Sequence, residues 1–263
     1  MNFEHIVFTK HNGVATIKFN RPKSFNSLDI DSGSEIVAAI ERCNEDEEIR
    51  AVIITGEGKA FCSGGDIPYF KKFLDTAPSE PFRDVIKHLN LAIIGIRRMP
   101  KPVIAAINGA VGGAGMIIAA ACDLRICAAS AKFRQAYTGI GMSGDGAWSL
   151  FIPLLTGFGK AMELLLLDPA FDAKQALDWG FVTQAVEDEK LNSTALEIAS
   201  KLAQGPTRAY AIAKENLNRS MMAHLESQLE LERIGMIAAS RTEDYLEGVR
   251  AFLEKRKPVF KGR

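Results

Sequence analysis

Between residues 5 and 19, HIVFTKHNGVATIKF alternates apolar and polar positions around Asn12-Gly13. That period, with Asn-Gly at its centre, predicts a β-hairpin. From Asp29 to Cys43 the apolar residues recur at helical spacing instead, and the acidic NEDEE (44–48) follows as a solvated loop. AVIITG (51–56), VIAAING (103–109) and LRICAA (124–129) are short apolar runs that predict buried strands, with helical stretches at about 82–98 and 114–121 between them. Strands alternating with helices mark an α/β fold. The segment IPYFKKFLDTAPSEPF (67–82), with Pro68, Pro78 and Pro81, reads either as a mobile flap or as a surface connection. From about residue 193 the patterns turn helical throughout, ending in EDYLEGVRAFLEKR. The expected organisation is a core over 1–192 and a helical region over 193–263 that packs on the core, on another subunit, or on both.

Composition narrows the function. The chain has 263 residues, 47% of them hydrophobic, enough to bury a sizeable core. Lys plus Arg and Asp plus Glu stand at 32 each, so no net field invites nucleic acid or a membrane surface. The longest apolar run, 103–122, is broken by Asn108 and several glycines, and reads as strand, loop and helix rather than a membrane span. MNFEHIVFTKHNG has no apolar signal segment, and Cys43, Cys62, Cys122 and Cys127 show neither CxxC nor zinc-finger spacing. Reduced thiols in a cytoplasmic protein are expected, with no metal.

Three short stretches carry candidate chemistry. AFCSGGDI (60–67) follows a strand; its small residues allow a ligand to approach the backbone at Gly65, while a tight turn capped by Asp66 is the structural alternative. INGAVGGAGMII (107–118) leads glycines into an apolar helix, gathering free N–H groups and the positive helix end at one place. A phosphate or a developing oxyanion would suit that place. The spacing fits neither a P-loop nor GxGxxG, which favours the oxyanion. TGIGMSGDGAW (138–148) holds one acid, Asp145, among four glycines. Asp145 is either a catalytic carboxylate or a cap for a helix starting near Ala147.

These stretches, with FNRPKSFNSL (19–28), KPVIAAINGAVGGAGMIIAAACDLRICAASAKF (101–133), AMELLLLDPAFDAKQALDWGFV (161–182) and AFLEKRKPVFKG (251–262), resemble the crotonase (enoyl-CoA hydratase/isomerase) superfamily over nearly the whole chain. The resemblance implies an α/β spiral of ββα units with a helical C-terminal trimerisation region, and a homotrimer or dimer of trimers. It implies coenzyme A thioester substrates, with no cofactor beyond that coenzyme A, and main-chain N–H groups of Gly65 and Ala114 as the oxyanion hole. Lys23 would lie by the adenine and pyrophosphate, Ser63 and Ile67 would border the adenine and pantetheine arm beside Asp66, and Lys255 would reach coenzyme A.

Departures from the family pattern point to the reaction. Ile117 and Tyr137 occupy the positions where family hydratases carry their two glutamates. Hydration needs one group for water and one for the α-proton, so it is disfavoured. Asp145 matches the carboxylate of family isomerases, and also the nucleophile of 4-chlorobenzoyl-CoA dehalogenase. That dehalogenase carries Trp where this chain has Tyr137 and His where it has Asn90, and loss of the His removes its water-activating base. Met116 and Ile117 are expected to wall the acyl pocket. The leading expectation is an acyl-CoA isomerase working through Asp145. Hydration or hydrolysis by Asp145, and a non-catalytic scaffold binding coenzyme A or RNA, are the alternatives.

Overall fold

The computed structural model describes residues 3–263. Strands β1 (Ile6–His11) and β2 (Val14–Phe19) form the hairpin and turn through Asn12 and Gly13 at φ 48° and 79°. Helix α1 (Ile30–Glu45) starts at a reciprocal cap: Ser32 N–H donates to the Asp29 carboxylate and Asp29 N–H donates to Ser32 Oγ. Two units then repeat one plan. β3 (Ala51–Gly56) and β4 (Ala60–Cys62) precede α2 (Ile67–Lys71) and α3 (Glu80–Arg98). β5 (Val103–Ile107) and β6 (Ala110–Gly112) precede α4 (Ala114–Ala121). A third unit, β7 (Leu124–Ala128) and β8 (Lys132–Arg134), leads to α5 (Trp148–Thr156) and α6 (Phe158–Leu167). β9 (Phe171–Asp172), α7 (Ala173–Asp178) and β10 (Gln184–Val186) close the core.

In each unit the longer strand joins one sheet and the three-residue strand joins another. The six-stranded sheet runs β1-β2-β3-β5-β7-β10 and is parallel except for the hairpin; the four-stranded sheet runs β4-β6-β8-β9. This is the ββα spiral that the resemblance implies. A parallel sheet must be covered on both faces. Helix α8 (Leu191–Gln204) covers one, setting Leu191, Ala195 and Ala199 against Val14, Ile53 and Ile104. The main core, which includes Ile36 and Ile40 of α1 and Ile93 and Ile96 of α3, covers the other with Ile17 and Ile54. The line drawn at 192–193 thus falls inside a helix that packs on the sheet.

The remaining helices, α9 (Thr207–Met221), α10 (Leu225–Ala239) and α11 (Glu243–Glu254), fold back onto their own chain. Lys214 of α9 pairs with Asp123 at 2.7 Å, and Asn218 accepts from Arg97. α10 packs on α3, and α11 on α2. The proline-containing stretch at 67–82 is anchored rather than loose: Phe70 and Leu74 are buried. The apolar run at 103–122 resolves into β5, β6 and α4, and no helix among the described residues is long and apolar enough to cross a membrane.

Helix α4 is buried along its whole length, and it lies so close to β4 that a Cβ on Gly115 would fall inside the carbonyl oxygen of Cys62. Backbone on both sides leaves nothing flexible to give way. Gly115→Ala is therefore expected to destabilise the chain by roughly 3 kcal/mol or more. Chemical denaturation checks this; a loss below 1 kcal/mol would show that the two loops can separate.

Candidate active site

The close packing of α4 on β4 brings two loops into contact. Gly64, at φ 96°, has its missing Cβ position 3.0 Å from Gly112 O and 3.4 Å from Ala114 N. Only glycine fits there. On the first loop, Leu28 N–H donates to Gly64 O and Asp66 N–H to Leu28 O, so the bridge to Leu28 leaves the Gly65 N–H outside it. On the second, Ala114 is the first residue of α4 and has no acceptor one turn back. Both residues line a cavity of about 750 Å³. Two main-chain donors facing one space can hold a developing negative oxygen. A Cβ on Gly65 would stand 2.5 Å from the Phe70 ring, so that position too is restricted to glycine.

The first loop is held by a cluster that only Asp66 signals in the sequence. Arg21 reaches Asp66 at 2.9 Å and Asp29 at 2.8 Å, and also donates to Ser27 O. Asp66 further accepts from Ser27 Oγ at 3.0 Å and from Tyr69 N–H at 3.0 Å, capping α2. Its oxygens face partners within the protein, so Asp66 lies on the cavity wall but acts there as an anchor.

Asp145 is 6% exposed and lies on the same cavity. Tyr137 donates its hydroxyl to Asp145 Oδ1 at 2.6 Å. The Tyr137 ring also lies against the second loop, with Cζ 3.8 Å from the missing Cβ of Gly113. One aromatic side chain thus spans from the second glycine loop to the acid. Burial, reinforced by the negative charge of Glu232, raises the Asp145 carboxyl to about 7 against the opposing effect of the Tyr137 hydrogen bond. Burial and the Asp145 charge push the Tyr137 phenol well above its ordinary value, so it remains a donor.

The Asp145 side chain does not take the capping role at α5. Helix α5 starts at Trp148, its N-cap is Ala147 with no side-chain bond, and its first N–H groups go to Glu232 of α10 at 3.1 and 2.9 Å. Asp145 is not the cap. Three carboxylates line the cavity. Asp66 pairs with Arg21 and Asp168 with Arg134, whereas Asp145 has no cation among the described residues.

Other expected residues divide. Lys23, Ser63, Ile67 and Tyr137 lie on the cavity wall. Ile117 does not: it is fully buried beneath the Asp145 loop, its Cγ2 2.8 Å from the missing Cβ of Gly146, and Met116 is buried likewise. Phe70, Phe82, Ile86, Leu89, Met142 and Met236 supply the apolar wall instead. Lys255 ends α11 in the left-handed region at φ 54° and is off the wall, while Arg256 and Lys257 are on it. A residue in that region ends the helix, so the chain leaves α11 at Lys255 and continues past the cavity through Arg256, Lys257 and Pro258. Asn90 makes only a long bond to Leu229 O, 3.5 Å, and His88 packs on Gly33. All four cysteines are free and buried. Sequence reasoning missed Arg21, Arg134 and Glu232, and nothing in local spacing marks them.

The buried acid has a measurable consequence. With the folded carboxyl at about 7 and the unfolded one near 3.8, the native chain binds the extra proton between those values. Wild-type stability relative to Asp145→Asn is thus fully present below about pH 4 and is lost as pH rises through 7. At pH 8 the Asn variant is expected to be more stable by up to ~4 kcal/mol, with the gap narrowing towards pH 5. Denaturant unfolding at the two pH values checks this, and a gap independent of pH would contradict a strained buried charge.

Comparison with known proteins accords with this geometry. The enoyl-CoA hydratase/isomerase family model matches residues 9–263. The chain is 36% identical to a 1,2-epoxyphenylacetyl-CoA isomerase of Escherichia coli, covering 99% of each. It is 35% identical to a probable enoyl-CoA hydratase of Rhodobacter capsulatus, covering all of both. Among solved structures, an enoyl-CoA hydratase from Mycobacterium avium subsp. paratuberculosis superposes with a TM-score of 0.89 at 30% identity, over 99% of this chain and 100% of that one. A family match over nearly the whole length, on a fold with both glycine loops in contact, fixes the assignment: the chain belongs to the enoyl-CoA hydratase/isomerase family.

Proposed function

We propose that the protein isomerises an unsaturated or cyclic acyl-CoA thioester, with Asp145 as the single acid–base group. One observation carries the reading: Asp145 is the one cavity carboxylate without a cation, and its proton affinity near neutrality suits both taking and returning a proton. The carboxylate removes a proton from carbon next to the thioester carbonyl, or from its vinylogous position. The electron pair moves onto the thioester oxygen, which the N–H groups of Gly65 and Ala114 receive. The resulting carboxylic acid returns its proton at a different carbon, so the double or ring bond shifts with no change in mass. No cofactor is drawn on beyond the coenzyme A of the substrate.

The positions of Ile117 and Tyr137 support isomerisation over hydration. Neither side chain can act as a carboxylate base on water, and Ile117 lies off the cavity. Lys23, Arg134, Arg256 and Lys257 stand around the cavity and offer cations for the phosphates of coenzyme A. The same proposal has chains associating as trimers or pairs of trimers, covering Phe158, Leu166 and Leu167, which are 74%, 68% and 74% exposed in the single chain.

Incubating the protein with enoyl-, dienoyl- and epoxy-acyl-CoA esters should give isomers of unchanged mass in ordinary water and isomers that carry solvent deuterium in deuterated water. Asp145→Asn should lower the rate at least roughly 10²-fold, the low end of the contribution of a positioned acid–base group. Addition of water, read as a gain of about 18 Da in ordinary water and about 20 Da in ¹⁸O-labelled water, would replace this reading with hydration. Binding of the esters without any conversion would replace it with a scaffold.

Tyr137→Phe offers a second test. It removes the hydrogen bond that favours ionised Asp145, so the carboxyl should rise further above 7. The acidic limb of the kcat/KM profile should move to higher pH. A limb that stays in place would mean that Tyr137 only fills space.

A further inference from the structure

The loop that carries Asp145 runs into a helix with no local cap. Ala147 precedes α5 at φ 65° and has only a methyl group to offer. Glu232 supplies the cap from α10: Oε2 accepts from Trp148 N–H at 3.1 Å, and Oε1 accepts from Ser149 N–H at 2.9 Å and from Ser149 Oγ. Gln228, one turn earlier on α10, donates to Ser149 Oγ at 2.7 Å and steadies the arrangement. A carboxylate from a distant helix therefore seats the start of α5, three residues beyond Asp145.

This placement bears on the acid in two ways. The N-terminal end of α5 carries partial positive charge that would favour an ionised carboxylate nearby. Glu232 engages those donors and offsets that field. Its own negative charge adds repulsion in surroundings with little water to screen it. Apart from Tyr137 and Glu232, the elements around the Asp145 loop present apolar groups: Leu89 of α3 and Ile117 of α4 pack on Gly146, and Met236 of α10 lines the cavity. Among the described residues, no Lys, Arg or His is a cause of the shift of the Asp145 carboxyl.

We propose that Glu232 is a positioning residue that ties the Asp145 loop to α10 and adds its negative charge to the buried surroundings of Asp145. The proposal rests on the reading of Asp145 as the acid–base group, and it explains how an isolated carboxylate is kept from being a permanently ionised, weak base. α10 also supplies Met236 to the acyl wall, so one helix governs both the shape of the cavity and the charge of its acid.

The test reads Asp145 directly. In full-length protein labelled with ¹³C at aspartate carboxyls, the Asp145 resonance is identified by its absence from Asp145→Asn and followed against pH. Glu232→Gln keeps one capping oxygen and removes the charge. Its Asp145 midpoint should fall, because a like charge that disfavours the ionised carboxylate is gone. The acidic limb of kcat/KM should move down with it. Glu232→Asp, measured alongside in case the amide variant does not fold, draws the charge back by one methylene and should lower the midpoint by less. An unmoved or raised midpoint in a folded variant, with only a lower Tm, would reduce Glu232 to a helix cap and overturn the proposal. A lowered midpoint supports it even if Asp145→Asn retained full turnover, a result that would count against the isomerase reading alone.

Discussion

The structure is organised around one carboxylate kept from both water and cations. A buried acid without a counter-ion is costly when ionised, and it can persist only if the surrounding fold holds it in place. Here that hold comes from several independent elements. Tyr137 donates to it from its own loop, α3 and α4 press apolar side chains under Gly146, and Glu232 fastens the start of α5. Asp66 and Asp168, on the same wall, take ordinary ion pairs and so remain structural. The difference between the three acids is one of environment, since all are aspartates on one cavity.

The second constraint is steric. A pair of backbone donors can serve one oxygen only if two loops approach more closely than side chains allow, and Gly64 and Gly115 are where the chain meets that demand. The ββα plan then follows from it. Each unit places a long strand in the large sheet for stability and a three-residue strand in the small one, and the loops that matter leave from β4 and β6. Gly65 is fixed in turn by Arg21, which joins the loop through Asp66 to the cap of α1 at Asp29. Local caps and tertiary ion pairs are thus the same residues.

Legibility in the sequence divides along the same physical lines. The hairpin, α1, β3, β5 and β7 were readable because burial of one or both faces imposes a period on five or more residues. β4, β6 and β8 were not, since three residues cannot display a period. Asp145, Gly65 and Ala114 could be singled out as candidates because their motifs are contiguous, and all three lie on one cavity. Glu232 and Arg134 were not, because their partners are distant in sequence and neither lies in a patterned motif. Ile117 illustrates the reverse error: its position in the family motif pointed at the cavity, but without a polar group to reach inward the side chain simply joined the core beneath the loop.

That substitution bears on why similarity alone does not fix the reaction. A 1,2-epoxyphenylacetyl-CoA isomerase and a probable enoyl-CoA hydratase stand at nearly equal identity to this chain, 36% and 35%, so overall identity does not separate the two reactions. Main-chain donors stabilise an enolate without regard to what happens to it next. The fate of the enolate depends on which side chains stand within reach of water and of the carbons. Under the isomerase proposal, apolar Ile117 stays withdrawn from the cavity and the phenol at 137 stays protonated, which leaves the proton on Asp145 to return to another carbon of the same acyl group. On that proposal reaction choice rests with a few side chains whose weight in overall identity is negligible, and burial of Asp145, more than any neighbouring charge, sets how readily it takes a proton.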